Sequence, residues 1–131
     1  MNQPTEQQFL ALIVKHPPLC AWGWWNPHQG RLMKIDLEGN RASLTLRFDE
    51  FKRSVGWLRQ CQTTKTVTRT SPSSYNLKHR AEYSTGDYIC NGAMIAAALY
   101  LGVPMKAFDD SPNPGIGVSK RCPVYQAAGK R

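Results

Sequence analysis

Ser73-Ser-Tyr-Asn-Leu-Lys-His-Arg-Ala-Glu-Tyr-Ser-Thr-Gly86, then Asp87-Tyr-Ile-Cys90, then Asn91-Gly-Ala-Met-Ile-Ala-Ala-Ala-Leu-Tyr-Leu-Gly102 is the stretch whose reading decides the fold. Ser73 or Ser74 suits the cap of a helix near Tyr75 to Thr85, because a serine hydroxyl accepts from an amide left unpaired in the first turn. Gly86 suits its C-terminal end. Asn91 reads as the cap of a second helix, Gly92 to Leu101, closed by Gly102 and Pro104. That second segment carries no charge, so it reads as a core helix. The pair is a C-terminal helical hairpin. A helix-turn-helix reading weakens because a recognition helix needs polar or basic side chains near its N-terminus.

Working outward, Thr5 to Lys15 reads as a short helix with Phe9, Leu12 and Ile13 at helical spacing, ended by Pro17-Pro18. Arg31 to Leu37 and Ala42 to Phe48 alternate and read as two strands, with Glu38-Gly39-Asn40 as the turn of a hairpin. Asp49 reads as the cap of a helix through about Cys61, with Phe51, Val55 and Leu58 on one stripe. Thr63 to Ser74 fits an edge strand or a loop equally well. Ile116 and Val118 suit one more short strand, and the end at Gly129-Lys130-Arg131 reads as frayed. The fold class expected is α+β, a small antiparallel sheet packed with helices and a C-terminal helical hairpin. The 131 residues have the length of one domain. It divides into a helix, hairpin and helix (1–62), a Thr/Ser-rich connection (63–74), the helical hairpin (75–103) and an irregular tail (104–131).

Composition narrows the function. No apolar run approaches the ~20 residues of a membrane span. There is also no pattern of a secretory signal, so a cytoplasmic, soluble protein is expected. Cys20, Cys61, Cys90 and Cys122 form no C-x-x-C, and His16, His28 and His79 do not stand at zinc-finger spacing beside them. Reduced thiols, no metal and no cofactor are expected.

The net charge of +8 is the strongest compositional fact. Seven basic residues, Lys52, Arg53, Arg59, Lys65, Arg69, Lys78 and Arg80, occur in a stretch with no Asp or Glu. A field of that sign attracts phosphate backbones or an acidic protein surface, or simply serves solubility. Trp22, Trp24 and Trp25 form a second cluster, with alternation placing Trp22 and Trp24 on one face. Three readings stand for it: stacking on unpaired bases, anchoring a protein interface, or core.

Catalytic signals are poor. There is no G-x-S-x-G, Walker loop or dinucleotide fingerprint. Asp36, Glu38 and Lys52 can be forced into the pattern of a small metal-dependent nuclease. Cys90, just before a helix start, reads better as a packed thiol than as a nucleophile.

Ser73-Ser-Tyr-Asn-Leu-Lys-His79, Tyr88-Ile-Cys-Asn-Gly92, Ile95-Ala-Ala-Ala98 and Ser111-Pro-Asn113 together resemble a group of short uncharacterised bacterial proteins. Such proteins are typical of plasmids, prophages and integrative elements. The resemblance spans about residues 66–119, and Ile116-Gly-Val118 stands where the group has an aromatic-Asn pair. It implies a mobile-element setting and no catalytic residue. The expected function is therefore a non-catalytic basic binding protein, touching nucleic acid or a nucleoprotein through the seven cations. Small-molecule ligands are not indicated. The alternative is an anti-CRISPR-like inhibitor that binds a host defence complex, with Trp22, Trp24 and Trp25 at the interface.

Overall fold

A computed structural model describes residues 3–129. It is α+β: helices dominate, and two small antiparallel ribbons join them. In chain order the elements are α1 (Glu6–Lys15), β1 (Leu19–Cys20), β2 (Gly23–Trp24), α2 (Pro27–Leu32), α3 (Leu37–Thr45), α4 (Phe48–Leu58), α5 (Ser74–Thr85), α6 (Asn91–Leu101), β3 (Met105–Lys106), β4 (Gly115–Ile116) and α7 (Pro123–Ala127). The expectation of Lys130 and Arg131 as a frayed end lies outside the described residues.

The centre is α6. Every residue from Asn91 to Ala98 is buried, and the helix packs against α1, α4, α5 and both early strands. Its run of alanines lets neighbouring elements approach closely on all sides. A helix enclosed in this way has no face to lay in a DNA groove. Phe9, Phe48 and Phe51 stack beside it, and Tyr100 meets Phe51 edge-on at 5.7 Å. Trp57, which no pattern singled out, is among the largest fully buried side chains.

Caps follow the local chemistry. Thr5 and Gln8 form a reciprocal capping box on α1. Ser73 accepts from the Asn76 amide, and Gly86 and Gly102 close α5 and α6 at φ of 82° and 72°. The cap of α6 is Cys90 rather than Asn91: its Sγ accepts from the Ala93 amide at 3.4 Å. The cap of α4 is Arg47, so Asp49 sits within the first turn.

Neither of the two strands expected at 31–37 and 42–48 forms: the first span runs from the end of α2 through a turn to the start of α3, and the second is mostly α3. Asn26 caps α2 through its bond from the Gln29 amide, with Pro27 at the first helical position. Asp36 accepts from the Gly39 amide and starts α3 within the supposed turn. Alternation there did not report burial, since Leu32, Met33 and Leu46 are exposed and only Leu44 of α3 is buried. The ribbons lie elsewhere, as β1 with β2 and β3 with β4.

Arg41, on α3, fastens the first half. Its guanidinium donates to the carbonyls of Ile13, His16, Pro17 and Leu19 at 2.6–2.9 Å. Ile13 and His16 carry carbonyls at the end of α1 that have no helical partner. Arg41→Ala is expected to cost about 2 kcal/mol in urea unfolding, because bonds from a charged donor are lost together. Arg41→Lys should recover little, since a point charge cannot fork to four carbonyls. An unchanged midpoint for Arg41→Ala would contradict this role.

Candidate functional site

The Thr/Ser-rich connection is neither a full edge strand nor a free loop. Its two ends are stitched antiparallel to the tail: the Thr64 amide donates to Gly117, Ser119 to Gln62, and Ile116 to Pro72, all at 2.8–2.9 Å. Isolated bridges join Thr63 to Val118 and Ser73 to Gly115. Ile116 enters β4, as its apolar character suggests, whereas Val118 takes part only in a bridge. Between the stitches, residues 65–71 stand out from the body and form two grooves.

One groove, of about 320 Å³, is lined by the hydroxyls of Thr64, Thr66, Thr68 and Thr70 together with Lys120 and Arg121. The other, of about 390 Å³, lies between Arg69 and the segment carrying Lys106 and Phe108. Thr68 lines both, so the grooves are the two sides of one ridge. Arg69 lies over the Phe108 ring at 4.2 Å and donates to Asp110 at 2.8 Å. That guanidinium holds the Asp110 carboxyl below the usual carboxylate range.

The seven sequence-selected cations do not form one face. Lys52 pairs with Asp49 at 3.3 Å on α4. Arg53 donates to the Tyr88 carbonyl at 2.7 Å and ties the α5–α6 link to α4. Arg59 is half-buried at the end of α4. Lys78 is buried against Glu82 at 3.2 Å. Arg80 lies 3.6 Å over the Tyr125 ring, donates to the Tyr125 carbonyl, and thereby holds α7 on α5. Substituting Lys78 or Arg80 therefore perturbs the fold and is a poor probe of phosphate contact. Lys65 and Arg69 alone of the seven stand on the ridge. Lys106, Lys120 and Arg121 join them there, all exposed. Sequence held a signal for this: residues 111–131 contain no Asp or Glu, as do residues 51–81. Only the stitching shows that these two acid-free stretches are neighbours.

A third concavity, of about 340 Å³, opens beside Lys78 between Trp22, Tyr75, Tyr88, Asn91 and Asn113. Three elements place these groups. The turn joining β1 to β2 carries Trp22, α5 carries Tyr75 and Lys78, and the start of α6 carries Asn91. The Lys78 ammonium lies 5.5 Å from the Tyr75 ring centroid and 4.6 Å from that of Tyr88. Glu82 accepts from Lys78 and from the Ile89 amide, and His79 Nδ1 lies 3.0 Å from its other oxygen. Asn91 donates to the Trp22 carbonyl and to Asn113 Oδ1 at 3.0 and 2.7 Å. Those acceptors orient the amide, and Asn91 Oδ1 is buried with no partner.

No family model matches the chain, and neither curated proteins nor solved structures show a significant match. The site is therefore read from its own chemistry.

The tryptophans divide. Trp22 is at the turn and lines the pocket, so it does not share a strand face with Trp24. Trp24 packs on the core beside His16 at 5.9 Å. Trp25 is half-buried over Gly30, with its Nε1 enclosed. Burial and neighbouring Lys15 lower the His16 pKa.

Cys90 is held as a thiol: burial pushes its pKa up to about 12, which opposes any effect of the helix start. Cys61, also buried and beside Cys122, is likewise pushed up to about 12. Of the nuclease pattern, Asp36 is engaged in capping α3 and Lys52 in pairing with Asp49. Among the described residues no three of His, Cys, Asp and Glu come together where they could hold a metal ion. No helix among them is long and apolar enough to cross a membrane.

Proposed function

We propose that the protein is a non-catalytic nucleic-acid-binding protein of a bacterial mobile element, acting in the cytoplasm. The observation that carries this reading is the pairing of two acid-free stretches into one ridge, with Lys65, Lys120 and Arg121 exposed around threonine hydroxyls and Lys106 beside the other groove. Ammonium and guanidinium groups neutralise phosphates, and hydroxyls donate to phosphate oxygens. Backbone contacts of this kind position a protein without reading sequence, so weak sequence preference is expected. The mobile-element setting is supported by the resemblance over residues 66–119.

The test is fluorescence anisotropy of labelled duplex DNA, single-stranded DNA and RNA over a salt series. Binding that falls steeply with salt is expected. Lys65→Ala/Lys120→Ala/Arg121→Ala should weaken it at least about tenfold and flatten the log–log salt slope by roughly 2. Absence of any binding at physiological salt would overturn the reading.

A second reading, inhibition of a host defence complex by protein binding, is favoured by the exposed side chains of Leu32, Met33 and Leu46 on the opposite half of the chain. Such apolar groups suit a protein partner better than a phosphate backbone.

A further inference from the structure

The pocket beside Lys78 differs in kind from the ridge. Its cation is already matched: the Lys78 ammonium has the Glu82 carboxylate at 3.2 Å, so little net charge is left to hold a phosphate or carboxylate. What remains is aromatic and amide surface. Tyr75 and Tyr88 are 49% and 60% exposed although their rings flank a buried ammonium. Asn113 accepts from Asn91 through Oδ1, which leaves its Nδ2 donor uncommitted, while Asn91 Oδ1 is an acceptor without a partner. Flat rings beside one donor and one acceptor match a neutral planar group with a hydrogen-bonding edge. About 340 Å³ lies at the small end of ligand sites, room for one such group and not for a folded segment.

The position supports the same class of ligand. Phe108 and Asp109 line the groove on one side of the ridge, and Pro112 and Asn113 line the pocket. The loop between them is pinned by Asp110 to Arg69. A strand whose phosphates follow the ridge therefore reaches the pocket within one loop's length.

We propose that this pocket receives a single unpaired nucleobase, stacked on Tyr75 or Tyr88 with its polar edge toward Asn91 and Asn113, so that the protein prefers single-stranded over duplex nucleic acid. The proposal rests on the nucleic-acid reading of the ridge. A base held in a duplex cannot enter, because its edge is paired and its faces are stacked.

The experiment compares three labelled probes by anisotropy: a single strand of about twelve nucleotides, a duplex of that length, and an abasic sugar-phosphate strand of the same length and charge. The expected result is single-strand affinity at least about tenfold above both others. Tyr75→Ala/Tyr88→Ala should abolish that advantage and leave the salt slope and the duplex affinity unchanged. Tyr75→Phe/Tyr88→Phe keeps the rings and should retain the advantage, which separates stacking from damage to the fold. If the single strand and the abasic strand bind equally, or the double alanine variant keeps the advantage, the pocket proposal is overturned while the ridge stands. If no probe binds, both readings fall.

Discussion

Glu82→Ala is expected to destabilise the protein by about 3–5 kcal/mol, the range for removing one partner of a buried ion pair. Glu82 accepts from Lys78 Nζ at 3.2 Å and from the Ile89 amide at 3.0 Å, and His79 Nδ1 lies 3.0 Å from its other oxygen. Its loss leaves an ammonium with only 8% of its side chain exposed, and an amide at the α5–α6 link, without their acceptor. Lys78→Met should cost less, because Glu82 keeps His79 and Ile89 and its side chain is 18% exposed. The double substitution Lys78→Met/Glu82→Ala should cost less than the sum of the two, since the uncompensated charge disappears with its partner. Urea denaturation of the four proteins measures each term. Additive losses would mean that the pair is effectively solvated.

Gly92→Ala is expected to cost about 3 kcal/mol or more, and to lower the melting temperature by about 10 °C. Two effects oppose. Alanine is the better helix former by about 1 kcal/mol, and Gly92 lies inside α6. Against this, a β-carbon at Gly92 would overlap the carbonyl of Cys20, while the Gly92 amide bonds to the Ala21 carbonyl at 3.2 Å. The obstacle is backbone, so no rotamer change relieves it. The β1–β2 ribbon would have to withdraw from α6 and carry Trp22 away from the pocket. Overlap should outweigh propensity. A stability within about 1 kcal/mol of the parent in thermal or urea unfolding would show that the ribbon yields cheaply.

These two residues also show what was legible in the chain. The helical hairpin was, because Ser73, Gly86 and Gly102 are local signals whose meaning does not depend on distant contacts. The uncharged run from Gly92 to Leu101 likewise announced burial. Arg31 to Phe48 was not legible, because its alternation is real but does not follow burial. Asp36 is the better signal there, since its side chain caps a helix. The charges were legible as a sum and not as a surface. Lys78 with Glu82 is an i,i+4 pair visible in sequence. Arg80 on Tyr125 and Arg53 on the Tyr88 carbonyl are long-range clamps with no local mark. The pocket was hidden for the same reason: Trp22, Asn91 and Asn113 meet only after three distant segments have packed.

The stitching of the Thr/Ser-rich connection to the tail also sets an order of events during synthesis. Residues 3–103 hold the aromatic stack and the segment that becomes α6, and leave the ribosome before any residue that can pair with 62–74. Gly115, Ile116, Gly117 and Ser119 emerge last among the pairing partners. In a chain made from its N-terminus, α1 to α6 therefore precede the segment that completes the cationic ridge.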